Sequence, residues 1–201
     1  MAPKLIQQAS APKANLTVSR QKAAELLGTA DASVQFLLDS GYLPDLDASR
    51  LLTMASYPLL YSDGNYPVLQ QALSTGIAPE PYLNRTKIGE SATHSDAECV
   101  LANQGAWTNF RDADVLAARF LPVTLRKFTV SVLHVTGLVG HNGDRTVYDA
   151  TLAGRVRELG RSELDFIDPS LSAADQEIVR TLLTSRSTSN VPGPCGKLKT
   201  L

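Results

Sequence analysis

Apolar side chains recur at helical spacing near the start of the chain. Ala23, Ala24, Leu26 and Leu27 form the buried side of a helix predicted from Ser19 to Leu27. Ser19 or Thr17 can cap its start, and Gly28 can end it in the left-handed conformation that glycine tolerates. Val34, Leu37 and Leu38 stand at i, i+3 and i+4, which predicts a second helix over Asp31–Ser40. Asp31 or Thr29 would cap it and Gly41 would close it. Leu51, Leu52 and Ala55 predict a third helix over Ala48–Ser56, capped by Asp47 and followed by Pro58.

The pattern then breaks. Pro58, Asp63-Gly64-Asn65, Pro67, Gly76, Pro79 and Pro81 punctuate residues 57–95, which read as a loop-rich linker with one short helix near Val68–Leu73. Ser95 followed three residues later by Glu98 has the form of a capping box, opening a helix to Gln104. Another short helix is predicted over Asp112–Arg119. After it the period falls to two. Phe128, Val130 and Val132 alternate with Thr129, Ser131 and Leu133, and a second alternating run covers Thr146–Ala153. Asn142-Gly143 between them predicts a β-hairpin tip, and Leu121–Leu125 a third strand. Ser172 opens a last helix carrying Ile178, Val179, Leu182 and Leu183.

These elements imply an α+β fold, with an N-terminal three-helix bundle followed by a small α+β domain containing an antiparallel hairpin. The expected organisation is a flexible arm over 1–15, a helical domain over 16–58, a linker over 59–94, the α+β domain over 95–186 and a disordered tail over 187–201.

Charge narrows the function classes. The net charge is −1, and the blocks 1–60, 61–110, 111–160 and 161–201 carry 0, −3, +2 and 0. No polybasic arm or tail stands out, which counts against strong sequence-independent binding to nucleic acid. Cys99 and Cys195 lie too far apart for a metal knuckle and are too few for a disulfide framework. The start of the chain has no apolar leader core and no run approaches a membrane span, so a cytoplasmic protein without membrane contact is expected.

The stretch Leu16–Pro44 resembles the helix-turn-helix of the MerR/excisionase group of DNA-binding proteins. The resemblance rests on Val18, Ala23, Ala24, Leu26, Leu27, Gly28, Val34, Leu37, Leu38, Gly41, Leu43 and Pro44, which are packing and turn positions. It implies that the second helix faces the major groove. Ser33 and Gln35 would then meet base edges or phosphates, and Arg20, Lys22 and Arg50 would position the DNA backbone. Asp31 and Phe36 stand where arginine is common in such helices. The usual basic wing after Leu43-Pro44 is replaced by Asp45-Leu46-Asp47.

Other chemistry is thinner. His94, Asp96, Glu98 and Cys99 crowd four metal-ligand types into six residues, but helix capping accounts for the acids. His134, Asp149 and Cys99 have no spacing that selects a catalytic pair, and no nucleophile elbow, phosphate loop or zinc-protease motif is present. Arg126, Lys127, Arg155 and Arg157 would gather at one end of the hairpin. The expectation is a non-enzymatic, sequence-specific DNA-binding protein, a regulator of transcription or of a mobile element. It would need no cofactor or metal, and its C-terminal domain would dimerise or hold a protein partner. The alternative is a protein-interaction or structural component that uses the same bundle without double-stranded DNA.

Overall fold

Each N-terminal helix forms where the apolar spacing puts it. In the computed structural model, which describes residues 16–78, 80, 83–189 and 193–201, the elements in chain order are α1 (Arg20–Leu27), α2 (Asp31–Asp39), α3 (Ala48–Ser56), β1 (Leu59–Leu60), β2 (Pro67–Gln70), β3 (Thr75–Gly76), β4 (Lys87–Ile88), α4 (Asp96–Asn103), β5 (Gly105–Trp107), α5 (Asp112–Ala118), β6 (Phe120–Leu125), β7 (Phe128–Asn142), β8 (Arg145–Arg155), β9 (Phe166–Ile167), α6 (Ala173–Leu183), β10 (Arg186–Ser187) and β11 (Cys195–Lys197). The expected arm over 1–15 lies outside the described residues. No helix among those described is long and apolar enough to cross a membrane.

Local signals set the helix ends. The Ser19 hydroxyl accepts from the Lys22 N–H, and Gly28 closes α1 at φ 60°. Asp47 accepts from the Arg50 N–H at the start of α3. The Ser95–Glu98 capping box opens α4 as predicted. At α2 the expected cap is absent: Ala30 holds the cap position with no side-chain bond, and Asp31 is the first helical residue.

The fold is α+β, built on a mixed, curled sheet. Its strand order is β1-β10-β7-β6-β2-β11, with β8 pairing β7, β5 and β9. The long β7–β8 hairpin turns at Asn142-Gly143, where Gly143 has φ 64°. β2 joins β6 in parallel, Leu69 opposite Val123, so the helix expected near Val68–Leu73 is a strand. The expected disordered tail contains β11, which pairs antiparallel with β2.

Both faces of the sheet are covered. Phe128, Val130, Val132 and Ala153 pack with Ala23, Leu27, Leu37, Leu43, Leu51, Met54 and the α6 residues Val179 and Leu182. The opposite face, with Leu121, Val123, Leu133, Val135 and Tyr148, meets Cys99 and Val115 from α4 and α5. Along β7 the even positions Phe128, Val130 and Val132 serve the first face and the odd positions Leu133 and Val135 the second, so the strand is apolar on both sides. The three N-terminal helices therefore have no separate core; α1 packs on α2 and α3, and all three share one with the sheet. Gly154 lets α6 come this close, since a Cβ there would lie 2.4 Å from Val179 Cγ1.

Candidate nucleic-acid interface

Three of the cations expected to meet phosphate are engaged by carboxylates. Arg20 Nε lies 2.8 Å from Asp31, and its Nη1 also donates to Gln35, which in turn donates to Asp39 at 2.7 Å. Lys22 pairs with Glu25 at 2.8 Å. Arg50 is largely buried, at 17% side-chain exposure, against Asp45, Glu158 and the Leu159 carbonyl. Ser33 is half-buried on α2. Arg20, Gln35, Asp31 and Asp39 form one hydrogen-bonded chain along the outward side of α1 and α2, one arginine against two aspartates. Pairing with Asp31 raises the Arg20 pKa.

The basic group expected at the hairpin end divides. Arg155 is fully buried and shares Asp96 with Arg157, at 2.9 and 2.8 Å. Arg126 and Lys127 stay exposed on the β6–β7 turn. The Arg126 guanidinium lies over the Phe36 ring of α2, 4.1 Å from its centroid. Arg145, at the start of β8, is also exposed. Among the described residues, Arg126, Lys127 and Arg145 have no carboxylate partner.

Arg126 and Arg145 border one open groove of about 610 Å3, with Phe36, Gln71, Trp107 and Arg85. Arg85 is structural there: it pairs with Glu80 and donates to the Ala102 and Gly105 carbonyls. The Trp107 ring is fixed by its N–H donating to the Asn103 carbonyl at 2.7 Å. Charge, aromatic surface and amide groups thus meet beside α2 rather than on its outward face. Phe36 read as a departure from the helix-turn-helix pattern, yet it carries the nearest free cation. Sequence spacing had no means of joining it to a turn ninety positions on.

The other candidate clusters separate. His94 Nε2 faces Ser74 Oγ at 2.8 Å, Asp96 binds Arg155 and Arg157, Glu98 pairs with Lys87 and Cys99 donates to Glu90. Among the described residues no group of three His, Cys, Asp or Glu side chains could hold a metal. His134 stacks on Phe120 and Asp149 accepts from Thr136, while the Cys99 thiol donates to Glu90. Burial pushes the thiols of Cys99 and Cys195 up to about 12, which keeps both protonated at neutral pH.

A buried polar cluster was not legible as such. Glu90 is wholly buried and accepts from Tyr42 Oη at 2.8 Å, Asn103 Nδ2 at 2.5 Å, Cys99 Sγ at 3.2 Å and Ser131 Oγ at 3.4 Å. Arg155 donates to the Tyr42 hydroxyl at 3.4 Å and to the Ser91 and His94 carbonyls. Burial, then the Glu90 charge, raises the Tyr42 pKa. The cluster pins the segment after α2 to the sheet. The sequence placed Arg155 in the basic group at the hairpin end; its burial follows from partners that only tertiary structure brings to it.

No family model matches the chain, and no curated protein or solved structure matches it.

Proposed function

We propose that this chain is a non-catalytic DNA-binding protein, acting in regulation of transcription or of a mobile element, whose contact surface is α2 together with the Arg126–Lys127 turn. The observation that carries this reading is the seating of Arg126 on Phe36, which puts an unpaired cation beside the helix that the sequence resemblance assigns to the major groove. Ser33 and Gln35 remain the base-edge candidates. Arg20, Lys22 and Arg50 take a smaller share than the sequence implies, because each already holds a carboxylate. Few free cations mean modest affinity and a shallow salt dependence.

The test is retention of duplex DNA in gel shifts at about 50 mM and about 200 mM salt. Replacing Arg126 and Lys127 by Gln should weaken binding more than replacing Arg20 and Lys22 by Ala. Equal retention by wild type and the Arg126/Lys127 variant would end this assignment.

A second reading is a protein-interaction component that uses the helix pair without DNA. It is favoured by the Arg20–Asp31–Gln35–Asp39 chain, which leaves the outward face of α2 net acidic. Complete absence of duplex binding at low salt supports it.

A further inference from the structure

We infer that the groove between α2 and the curled sheet receives single-stranded nucleic acid. Phe36 and Trp107 supply stacking surfaces, and Arg126 and Arg145 meet the backbone phosphates. The inference rests on the reading that the chain binds nucleic acid, and it names a form and a place that the helix-turn-helix resemblance does not.

Four features converge. The groove is open, and its volume of about 610 Å3 exceeds what a water or an ion fills and lies in the range of sites for organic ligands. Its walls carry two partly exposed aromatic rings, Phe36 and Trp107, beside arginines that have no carboxylate partner among the described residues. A guanidinium resting on Phe36 has a second flat face, and bases stack on arginine planes as they do on rings. Glu80, the acid among the described lining residues, is answered by Arg85, which leaves Arg126 and Arg145 as the lining charges without a carboxylate partner.

The geometry also favours single strands over duplex at this spot. A duplex keeps its ring faces inside the helix and offers a groove wall only sugar, phosphate and base edges. Unstacked bases offer the faces that Trp107 and the Arg126–Phe36 pair can cover. Stacking on π-faces is tolerant of sequence, so the groove would hold a strand in place without choosing it.

Trp107 is the one tryptophan of the chain, which makes its fluorescence a reporter for this groove. The full chain is titrated with an oligo(dT) of about 15 nucleotides, near the site sizes of stacking folds. Saturable quenching is expected. Arg126→Gln and Arg145→Gln should each raise the dissociation constant about tenfold, whereas Arg180→Gln on α6 should not. Trp107→Ala, followed by anisotropy of a labelled oligo(dT), should weaken binding by a similar factor. Absence of both quenching and anisotropy change at low salt overturns the inference, as does equal binding by wild type and the two groove arginine variants. Duplex of mixed sequence is run beside it. Duplex bound and oligo(dT) ignored removes the groove proposal and leaves the α2 reading standing; the reverse removes duplex recognition by α2 and leaves the groove.

Discussion

The hydroxyl of Tyr42 donates to the carboxylate of Glu90 at 2.8 Å, across 48 positions of sequence, with both residues fully buried. The same hydroxyl accepts from Arg155, so a buried anion and a buried cation meet through one phenol. Buried charge is costly unless every lone pair and proton finds a partner. Here the partners come from the segment after α2, from α4, from β7 and from β8, while Arg155 Nε is buried without one, and the cluster fixes how the helix pair sits on the sheet.

Tyr42→Phe keeps the ring and removes the link. It should lower the unfolding free energy by about 1–3 kcal/mol, the usual cost of leaving a buried polar group unpaired. Arg155→Met should cost more, about 3–5 kcal/mol, because it leaves the buried Glu90 carboxylate without the buried cation that meets it through Tyr42. Urea denaturation measures both. Tyr61→Phe, at a residue that is 38% exposed, serves as the control and should leave the midpoint in place.

At Gly154 the prediction concerns steric fit. A Cβ at this position would fall 2.4 Å from Val179 Cγ1 and 3.0 Å from Leu183 Cδ1. Gly154→Val must therefore push α6 off the sheet, at a cost of about 1–3 kcal/mol for an overpacked core. Pairing it with Val179→Ala opens space where the new methyls go. The double variant should recover part of the loss in thermal unfolding, and a purely additive pair would show that the α6 contact is not the source.

How far these relations could be read in advance depends on their range along the chain. The helices and the hairpin obey local rules: Gly28 and Ser19 punctuate α1, Ser95 and Glu98 cap α4, and Asn142-Gly143 turns the hairpin. β2 escaped because nothing within its own window marks it as a strand. Leu69 owes its extended conformation to Val123 on one side and Cys195 on the other. β11 was hidden for the same reason, since a proline- and glycine-rich tail looks unstructured until its partner strand is in place. At the candidate interface, Arg20, Lys22 and Arg50 were visible as cations, but the Asp31 that occupies Arg20 and the Glu158 that reaches Arg50 meet them only after the chain folds back. The seating of Arg126 on Phe36 belongs wholly to tertiary structure.

Acid should weaken the fold through His94. Burial is the main cause that lowers its pKa below the ordinary 6.5, so the folded state favours the neutral ring. The unfolded chain then binds the proton more readily. Stability from this group is complete above about pH 6.5 and is lost as pH falls through and below that value. Urea midpoints at neutral and mildly acidic pH should fall toward acid in wild type, and His94→Gln should flatten that part of the profile. Glu98 acts at lower pH. Its bond from Lys87, then the Ser95 cap, brings its pKa to about 2, so its contribution is present above the unfolded value of 4.5 and fades as pH drops toward 2. Its side chain is partly exposed and the ion pair stands at the surface, so salt should screen the effect.

Asp31 offers the sharpest handle on α2 as a DNA-facing helix. It holds Arg20 at 2.8 Å and adds a negative charge to the first turn of the helix. Asp31→Asn removes the carboxylate from Arg20, which keeps its bond to Gln35, and changes the local sum of Arg20, Asp31 and Asp39 from −1 to 0. If α2 faces phosphate, duplex affinity at low salt should rise, and the slope of log affinity against log salt should steepen by about one charge. Binding of oligo(dT) in the groove should change far less, since Arg126 and Arg145 are untouched. An unchanged duplex slope would place the outward face of α2 away from DNA and leave the Arg20–Asp31 pair as a surface contact of the kind that contributes little to stability.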